Sequence, residues 1–221
     1  MPKRFLCCFA AIIWVSVSCT HSNNPAGMLP SGQGYTYEVR AFDSLGTLIR
    51  DSTVFFPIIS QGTLAGVPDA RLVKWFLDTV GVADLPNGDF RIFERPLGIF
   101  FGKVPDRFWI TYPLASAQTG VATVIYSIDT TYPDLSYLGL QDTITVRGAE
   151  SVTIGSSTFS SIKFDEAVAD TTGGMINNVP IYFGSSVHYN YSYAKQPGFF
   201  THLHFSSQAG AQDFTLKSFS R

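Results

Sequence analysis

The sequence predicts an all-β fold, an antiparallel sheet of about 10–12 strands with little helix. Short runs of alternating apolar and polar residues, separated by turn signals, continue along residues 35–221. No convincing crossover helix lies between them, and this favours antiparallel neighbours. The 19 Phe and 10 Tyr residues suit β-sheet faces and a large aromatic core. We therefore expect a single all-β domain over residues 35–221.

The N-terminus predicts an export signal over residues 1–18. Lys3 and Arg4 precede an uncharged, mostly apolar run of thirteen residues, 5–17, and small residues stand just before Cys19. This charged, apolar and small-residue order is typical of secretory signal peptides. A membrane-spanning helix needs about 20 apolar residues, so this run is too short to be one.

Cys19 is the predicted lipidation site. Its only companions, Cys7 and Cys8, lie within the signal, so the mature domain has no cysteine pair for an internal disulfide. The residues before Cys19 resemble the lipobox of bacterial lipoproteins, which implies a diacylglycerol on its thiol and a membrane anchor. Ser16 replaces the leucine usual in that motif, and Ser16-Val17-Ser18 also fits an ordinary signal peptidase. Both processing routes stay open.

Residues 19–34 are interpreted as the lipidated cysteine and a flexible tether. The segment is rich in Asn, Ser, Pro and Gly and shows no periodicity. A flexible coil of this length reaches roughly 20 Å, enough to hold a domain just off a bilayer. Thr20 is not the aspartate that retains lipoproteins at the inner membrane of enteric bacteria. The predicted location is therefore the outer membrane, facing the periplasm or the cell surface.

The strands follow from alternation and turn chemistry. In the first strand, alternation places Tyr35, Tyr37, Val39 and Ala41 on one face. Residues 70–80 also fit a helix, but their neighbours are strands and we interpret them as a strand. The predicted strands are 35–42, 47–59, 70–80, 90–93, 98–101, 108–112, 120–131, 142–147, 151–154, 158–170, 181–193, 199–206 and 212–219. Residues 60–68 and 132–140 are predicted loops, with one helical turn at 134–138.

Two segments of the last third resemble uncharacterised bacterial envelope lipoproteins. Residues 152–164 (VTIGSSTFSSIKF) resemble a hairpin of that family, and residues 189–219 resemble its closing segment, with Gln196-Pro197-Gly198 as the turn and Thr215-Leu216-Lys217-Ser218-Phe219 at the end. The family is similar to LolA-like periplasmic carriers, in which a curved sheet folds into a half-barrel. The resemblance implies that the sheet is strongly curved, an incomplete β-barrel, and that the protein belongs to the cell envelope; it implies no activity.

The curved sheet leaves two non-enzymatic functions open. Its concave face could hold an apolar or lipid ligand, because little helix is available to cover it. Alternatively, side chains and long loops fill that face, and the chain acts as a structural or assembly lipoprotein through an envelope protein partner. No ligand-binding residue can be named from the sequence, and no cofactor is expected. The formal net charge of −2, without a basic patch, gives nucleic-acid binding no support.

Few residues of the sequence suggest metal binding or catalysis. His202 and His204 share one strand face, near His188 and Asp213 on the predicted neighbouring strands, so zinc binding is an alternative to a plain polar face. Ser160-Ser161-Ile162-Lys163 and Ser192-Tyr193-Ala194-Lys195 fit S-x-x-K. That motif needs a helix to bring lysine to serine, and both segments are predicted strands. We therefore predict that the protein is not an enzyme and holds no metal.

A repeated triplet places Ser or Thr after Asp and before Leu, Thr, Val or Ile. It resembles an O-glycosylation sequon of secreted Bacteroidota proteins. The alternative is that Asp and Ser or Thr cluster at strand ends because both side chains bond turn backbone. The triplets begin at Asp43, Asp51, Asp78, Asp129, Asp142 and Asp170.

Overall fold

A computed structural model describes residues 32–75, 78–94, 107–131, 136–177, 179–207 and 210–220. Over these ranges the chain forms twelve strands and no helix. Accordingly, none of the described residues forms a helix long and apolar enough to cross a membrane. The strands are β1 (Gly34–Asp43), β2 (Leu48–Leu64), β3 (Val67–Trp75), β4 (Asp78–Asp84), β5 (Phe90–Glu94), β6 (Phe108–Tyr112), β7 (Ala122–Thr131), β8 (Tyr137–Ile154), β9 (Ser157–Ile176), β10 (Val179–Ala194), β11 (Phe199–Ser207) and β12 (Gly210–Ser220).

All twelve strands belong to one antiparallel sheet. Their order is β6-β5-β4-β3-β2-β1-β12-β11-β10-β9-β8-β7, so consecutive strands pair except β6 and β7, and β1 pairs with β12. The sheet rolls into a barrel that is nearly closed, with one unsealed seam between its end strands β6 and β7. This confirms the predicted incomplete barrel and its strand number.

The barrel core is aromatic, and the predicted inward face of β1 is confirmed. Tyr35 and Tyr37 are fully buried, while Val39 and Ala41 are 7% and 9% exposed. Aromatic rings from distant strands stack across the interior. The closest stacks are Phe90 on Tyr193 with 4.0 Å between ring centroids, Phe90 on Tyr112 at 4.6 Å, and Tyr35 on Phe199 at 4.7 Å. Such pairs contribute beyond their buried area, so this core stabilises the closed sheet.

The predicted loop over residues 60–68 is wrong. β2 continues to Leu64, and a tight turn at Ala65 and Gly66 leads into β3. Both turn residues have positive φ, 46° and 81°, which is the geometry of a two-residue hairpin turn. Pro68, the last residue of the predicted loop, has no backbone N–H to donate to a neighbouring strand. Here it lies where the β2–β3 register shifts, and a bulge tolerates it.

The second predicted loop and its helical turn are wrong where the structure describes them. β8 begins at Tyr137, so residues 137–140 are strand; residues 132–135 lie outside the described residues. The predicted strands 142–147 and 151–154 are parts of this one long strand, which absorbs Gly148 as a bulge. The 70–80 segment is strand as predicted, divided between β3 and β4. The predicted strand 98–101 lies outside the described residues.

Two bulges change the direction of the sheet. In β8, Val146 pairs with Phe164 and Gly148 with Lys163, so Arg147 between them has no direct partner. In β11, Thr201 is skipped in the same way between Phe200 and His202. A bulged residue bends its strand and re-aims nearby side chains. These two positions lie beside a polar pocket formed by strands β8 to β11.

Candidate functional site

A polar pocket lies on the sheet face opposite the aromatic core. Side chains two apart on a strand share a face, so Lys163 and Asp165 of β9 point away from buried Phe164. The pocket has a volume of about 650 Å³. Its lining comes from four adjacent strands, β8 to β11: Arg147, Lys163, Asp165, Asn190, Tyr191, His202 and His204.

One row of the pocket is held together by strand register. Asp165 pairs with Asn190, Asn190 with His204, and His204 with Asp213 of β12. The Asn190 amide donates to Asp165 over 2.7 Å, and the Arg147 guanidinium forms an ion pair with the other Asp165 oxygen. His204 Nδ1 lies 2.6 Å from the Asp213 carboxylate. Asp165 and His204 are therefore positioned by their neighbours rather than free to turn.

The neighbouring row contains the second histidine. Lys163 pairs with Ser192, and Ser192 pairs with His202. Beneath this row, buried Thr201 donates to the Ser192 carbonyl over 3.1 Å and its hydroxyl lies 3.0 Å from Ser161. The bulge at Thr201 interrupts the backbone hydrogen bonds between β10 and β11. The hydroxyl contacts give the buried polar groups there hydrogen-bond partners and so stabilise the bulge.

Desolvation by partial burial lowers the pKa of His202 from its ordinary value of 6.5. His204 and Lys163 also lower the pKa, while Asp213 and Glu150 raise it. His202 Nε2 lies 3.7 Å from the Asp213 carboxylate. With its pKa lowered, the His202 ring is neutral at pH 7, so it adds a hydrogen-bonding group to the pocket without adding charge.

The predicted histidine constellation is brought together in part. His202, His204 and Asp213 are neighbours, whereas His188 does not line the pocket and lies two residues before Asn190 on β10. Among the described residues, no group of three or more His, Cys, Asp or Glu side chains is placed to hold a metal ion. Cys19, the predicted lipidation site, lies outside the described residues.

Sequence reasoning missed most of this pocket. It singled out His202 and His204 from their spacing, but it did not connect them with Arg147, Asp165 or Asn190. The alternation in Lys163-Phe164-Asp165 and in Asn190-Tyr191-Ser192 was the available signal. Only the cross-strand register shows that these polar positions share one face.

A second feature is the apolar tip of the β9–β10 hairpin, which we call the hairpin tip (residues 171–187). It contains no charged residue. Met175, Val179 and Tyr182 are 44%, 56% and 61% exposed, large fractions for such side chains. Tyr182 stands over Gly173, its cross-strand partner, and meets Tyr137 edge-on with 5.8 Å between ring centroids. The tip is thus an ordered strand pair.

The hairpin tip also presents an unpaired strand edge. Within the described residues, β10 pairs with β11 only from Tyr189 to Ala194. Residues 179–188 pair with β9 on one side, and no described strand covers their other side. Proteins usually protect such edges with charges, bulges, proline or a covering element. Of these, Pro180 is the one that the described part of this edge shows.

Comparison with known proteins assigns no family. No family model matches the chain, and no curated protein matches it. One solved structure that it resembles is the crystal structure of the hypothetical lipoprotein YmcC from Escherichia coli K12. The identity is 9%, the match covers 88% of this chain and 92% of that chain, and the TM-score is 0.36. So distant a likeness carries no conclusion about function, and the similarity to LolA-like carriers stays a prediction.

Proposed function

We propose that this chain is a membrane-anchored envelope lipoprotein that acts without catalysis, by contact with another protein through the hairpin tip. The observation that carries the proposal is the uncharged, exposed edge of β10. An open edge offers a row of backbone donors and acceptors to an incoming strand. The partner is therefore a protein that supplies an extended, uncharged segment by β-strand addition.

The position of the anchor favours a protein partner over the bilayer itself. β1 begins at Gly34, where the tether from Cys19 would enter, and its far end at Asp43 pairs with Gly210. Gly210 in turn pairs with Ser207, at the end of β11 where the unpaired part of β10 begins. The hairpin tip and the start of β1 thus lie at opposite ends of the barrel, so a tether that enters at Gly34 leaves the tip clear of the attachment point.

The packed interior favours contact over an internal ligand. Side chains from strands on both halves of the sheet fill the concave side with closely packed rings, among them Phe90, Phe164, Phe199 and Tyr37. An apolar or lipid ligand on that face would have to displace rings that are 0–2% exposed. Protein interiors are close-packed, and such displacement is costly. The ligand-carrying function remains the alternative, and the same experiment tests it.

The test places a photo-crosslinking amino acid at Tyr182 or, as a matched control, at Ile49, an exposed apolar residue of β2. We expect a defined protein adduct in cells from position 182 and none from 49. The charged double variant Val179→Lys, Tyr182→Lys should lose the partner, because charges on an edge oppose strand addition. Ile49→Lys should keep it. Equal crosslinking from both positions would contradict the hairpin tip as the contact surface.

Lipid extraction of the purified protein separates the two functions. The contact proposal would be overturned in favour of a carrier if two results came together. A stoichiometric lipid would co-purify with both the wild type and the double variant Val179→Lys, Tyr182→Lys, and position 182 would give no protein adduct. Extraction that yields only the chains attached at Cys19, together with a partner lost in the charged variant, supports it.

A further inference from the structure

Lys163 differs from the other cations on its face of the sheet. Arg147 forms an ion pair with Asp165, Lys217 lies 2.5 Å from Glu38, and the Arg40 guanidinium also contacts Glu38, over 2.8 Å. The Lys163 ammonium forms no ion pair with any part of the chain that the structure describes, yet it lines the polar pocket. An ammonium carries three donors and no acceptor, so an anion is its natural complement.

The rest of the pocket supplies further donors around Lys163. The bulge in β8 directs Arg147 into the pocket, and only its Nε is used by Asp165. A guanidinium has five N–H donors in a planar fork, so the others remain for a ligand. Each carboxylate near the pocket already has a partner: Asp165 has Arg147, Asp213 has His204, and Glu150 accepts a hydrogen bond from Ser192. None of them is paired with Lys163, so its ammonium is available to an anion.

We infer that this pocket binds an oxyanion group, a phosphate or a carboxylate, carried by a polar ligand larger than the group itself. The volume of about 650 Å³ is within the range of small-molecule sites, roughly 300–1,000 Å³, and far exceeds the size of a single phosphate. Lys163 and Arg147 hold the anion, and the imidazoles of His202 and His204 border the remaining space. The site is separate from the hairpin tip, so this inference goes beyond the proposed function.

The anionic group can come from two sources. One is the headgroup of a phospholipid, and the other is a soluble phosphorylated or acidic sugar. Because polar residues line the pocket, only the headgroup of a lipid would enter it, with the acyl chains outside. Protonation of His202, which sets in only below its ordinary pKa of 6.5, should favour a bound anion. The charged groups that face this ring are Asp213, His204, Glu150 and Lys163.

The test measures binding of glycerol 3-phosphate to the mature chain by calorimetry, beside flotation with phosphatidylglycerol or phosphatidylcholine vesicles. The unacylated chain is used for flotation, so that the anchor contributes nothing. We expect Lys163→Met to weaken binding about tenfold or more, as loss of a charge-assisted contact does. Lys163→Arg should retain binding. The matched control Lys217→Met removes a lysine of the same face that is engaged by Glu38, and it should bind like the wild type.

Each outcome of these measurements either supports or overturns the anion site. Binding of phosphatidylglycerol vesicles alone, lost in Lys163→Met, supports the site and assigns it to a lipid headgroup; binding of glycerol 3-phosphate lost in that variant assigns it to a soluble ligand. Equal weakening in Lys217→Met would show diffuse charge attraction and overturn the site. Absence of binding by both probes at pH 6 and pH 7 would overturn it as well. Circular dichroism melting of each variant shows that the fold is retained.

Discussion

At the scale of the residue, Glu166 is the most unusual side chain of the core. It is fully buried on β9, beside Ile144 of β8, and the Tyr112 hydroxyl donates to its Oε1 over 2.7 Å. Burial raises the pKa of Glu166 above its ordinary value of 4.5, and hydrogen bonds from Tyr112, Tyr191 and Asp142 oppose the rise. The carboxyl is thus held in its neutral form to higher pH in the folded protein than in the unfolded chain.

This burial predicts a pH dependence of stability. A raised folded-state pKa gives stability that is complete below the unfolded pKa of about 4.5 and is lost as the pH rises through the folded value. Glu166→Gln keeps a neutral side chain of similar shape, so it should be more stable than the wild type at pH 7 and nearly equal at pH 4. Urea unfolding at the two pH values measures the difference.

Glu38→Gln is the control of opposite sign. The Lys217 hydrogen bond, followed by the charges of Lys217 and Arg40, lowers the pKa of Glu38, a half-buried group. Its contribution is present above the unfolded pKa and is lost as the pH falls. The variant should therefore lose stability at pH 7 and match the wild type at low pH. A Glu166→Gln difference that follows this same direction would contradict the burial argument.

The Asp-Ser/Thr triplets differ in where their aspartates lie, at a turn or inside the sheet. In the first of them, Asp43 Oδ1 accepts hydrogen bonds from the backbone N–H of Leu45 and Thr47, over 2.9 and 2.8 Å. This is the turn-capping role that was the alternative to glycosylation. Asp142 and Asp170 begin two other triplets and are 3% and 5% exposed, deep in the sheet rather than at a turn. Glycosylation of the triplets stays a prediction, and the intact mass of the native protein tests it.

At the scale of elements, the β10–β11 turn is joined to β3 by Arg71. This arginine is 3% exposed; it donates to the Gly198 carbonyl over 2.7 Å and forms an ion pair with Asp84 over 2.9 Å. Tyr193, just before the turn, donates to the same aspartate. A buried charge is tolerated only with such partners. The turn thus connects the β3–β4 part of the sheet with the β10–β11 part across the barrel.

This contact predicts that two similar turn glycines will tolerate alanine differently. Gly198 and Gly155 both have positive φ, 67° and 60°. A Cβ at Gly198 would stand 2.2 Å from Arg71 Nη1, whereas a Cβ at Gly155 meets nothing within 4 Å. Gly155→Ala should cost about 1–2 kcal/mol from backbone strain alone. Gly198→Ala adds the steric clash and should cost roughly 2–5 kcal/mol.

The measurement is the free energy of unfolding of the two alanine variants by chemical denaturation. A Gly198→Ala loss no larger than that of Gly155→Ala would show that the Arg71 contact yields without cost. The double variant Arg71→Met, Gly198→Ala removes the clash together with the ion pair, so its loss should be smaller than the sum of the two single losses.

Element boundaries were predictable only in part. The hairpin around Gly155-Ser156 and the β10–β11 turn at Gly198 lie where the turn residues indicated them, because positive φ selects glycine locally. The same reasoning failed at Pro68 and at Gly148, where turn-forming residues lie inside long strands. Both residues are accommodated by β-bulges. Whether a bulge forms depends on the pairing with the neighbouring strand, and not on the residue alone.

At the scale of the whole molecule, the described β domain and the predicted anchor lie in separate parts of the sequence. The core cluster joins strands from β1 to β12 and draws on residues from Tyr35 onward. Residues before the first strand supply the predicted signal, Cys19 and tether. Folding stability and membrane attachment should therefore respond to different changes.

The prediction is that Cys19→Ala moves the protein from the membrane fraction to the aqueous fraction, because a protein without acyl chains has no membrane anchor. The unfolding free energy of the domain should change by no more than about 0.5 kcal/mol, as for substitutions far from a core. Ser18→Ala is the control, since it keeps the thiol and a small residue before it. Retention of Cys19→Ala at the membrane in salt-washed fractions would contradict lipid anchoring.

From the sequence alone came the all-β class, the approximate strand number and the inward face of β1, because alternation and turn chemistry are local properties. The tertiary structure alone decided which strands are neighbours, and with them the pocket around Lys163 and the unpaired edge of β10. Both features depend on the register between neighbouring strands and on where each pairing stops. A shift of one residue would move every side chain of a strand to the opposite face.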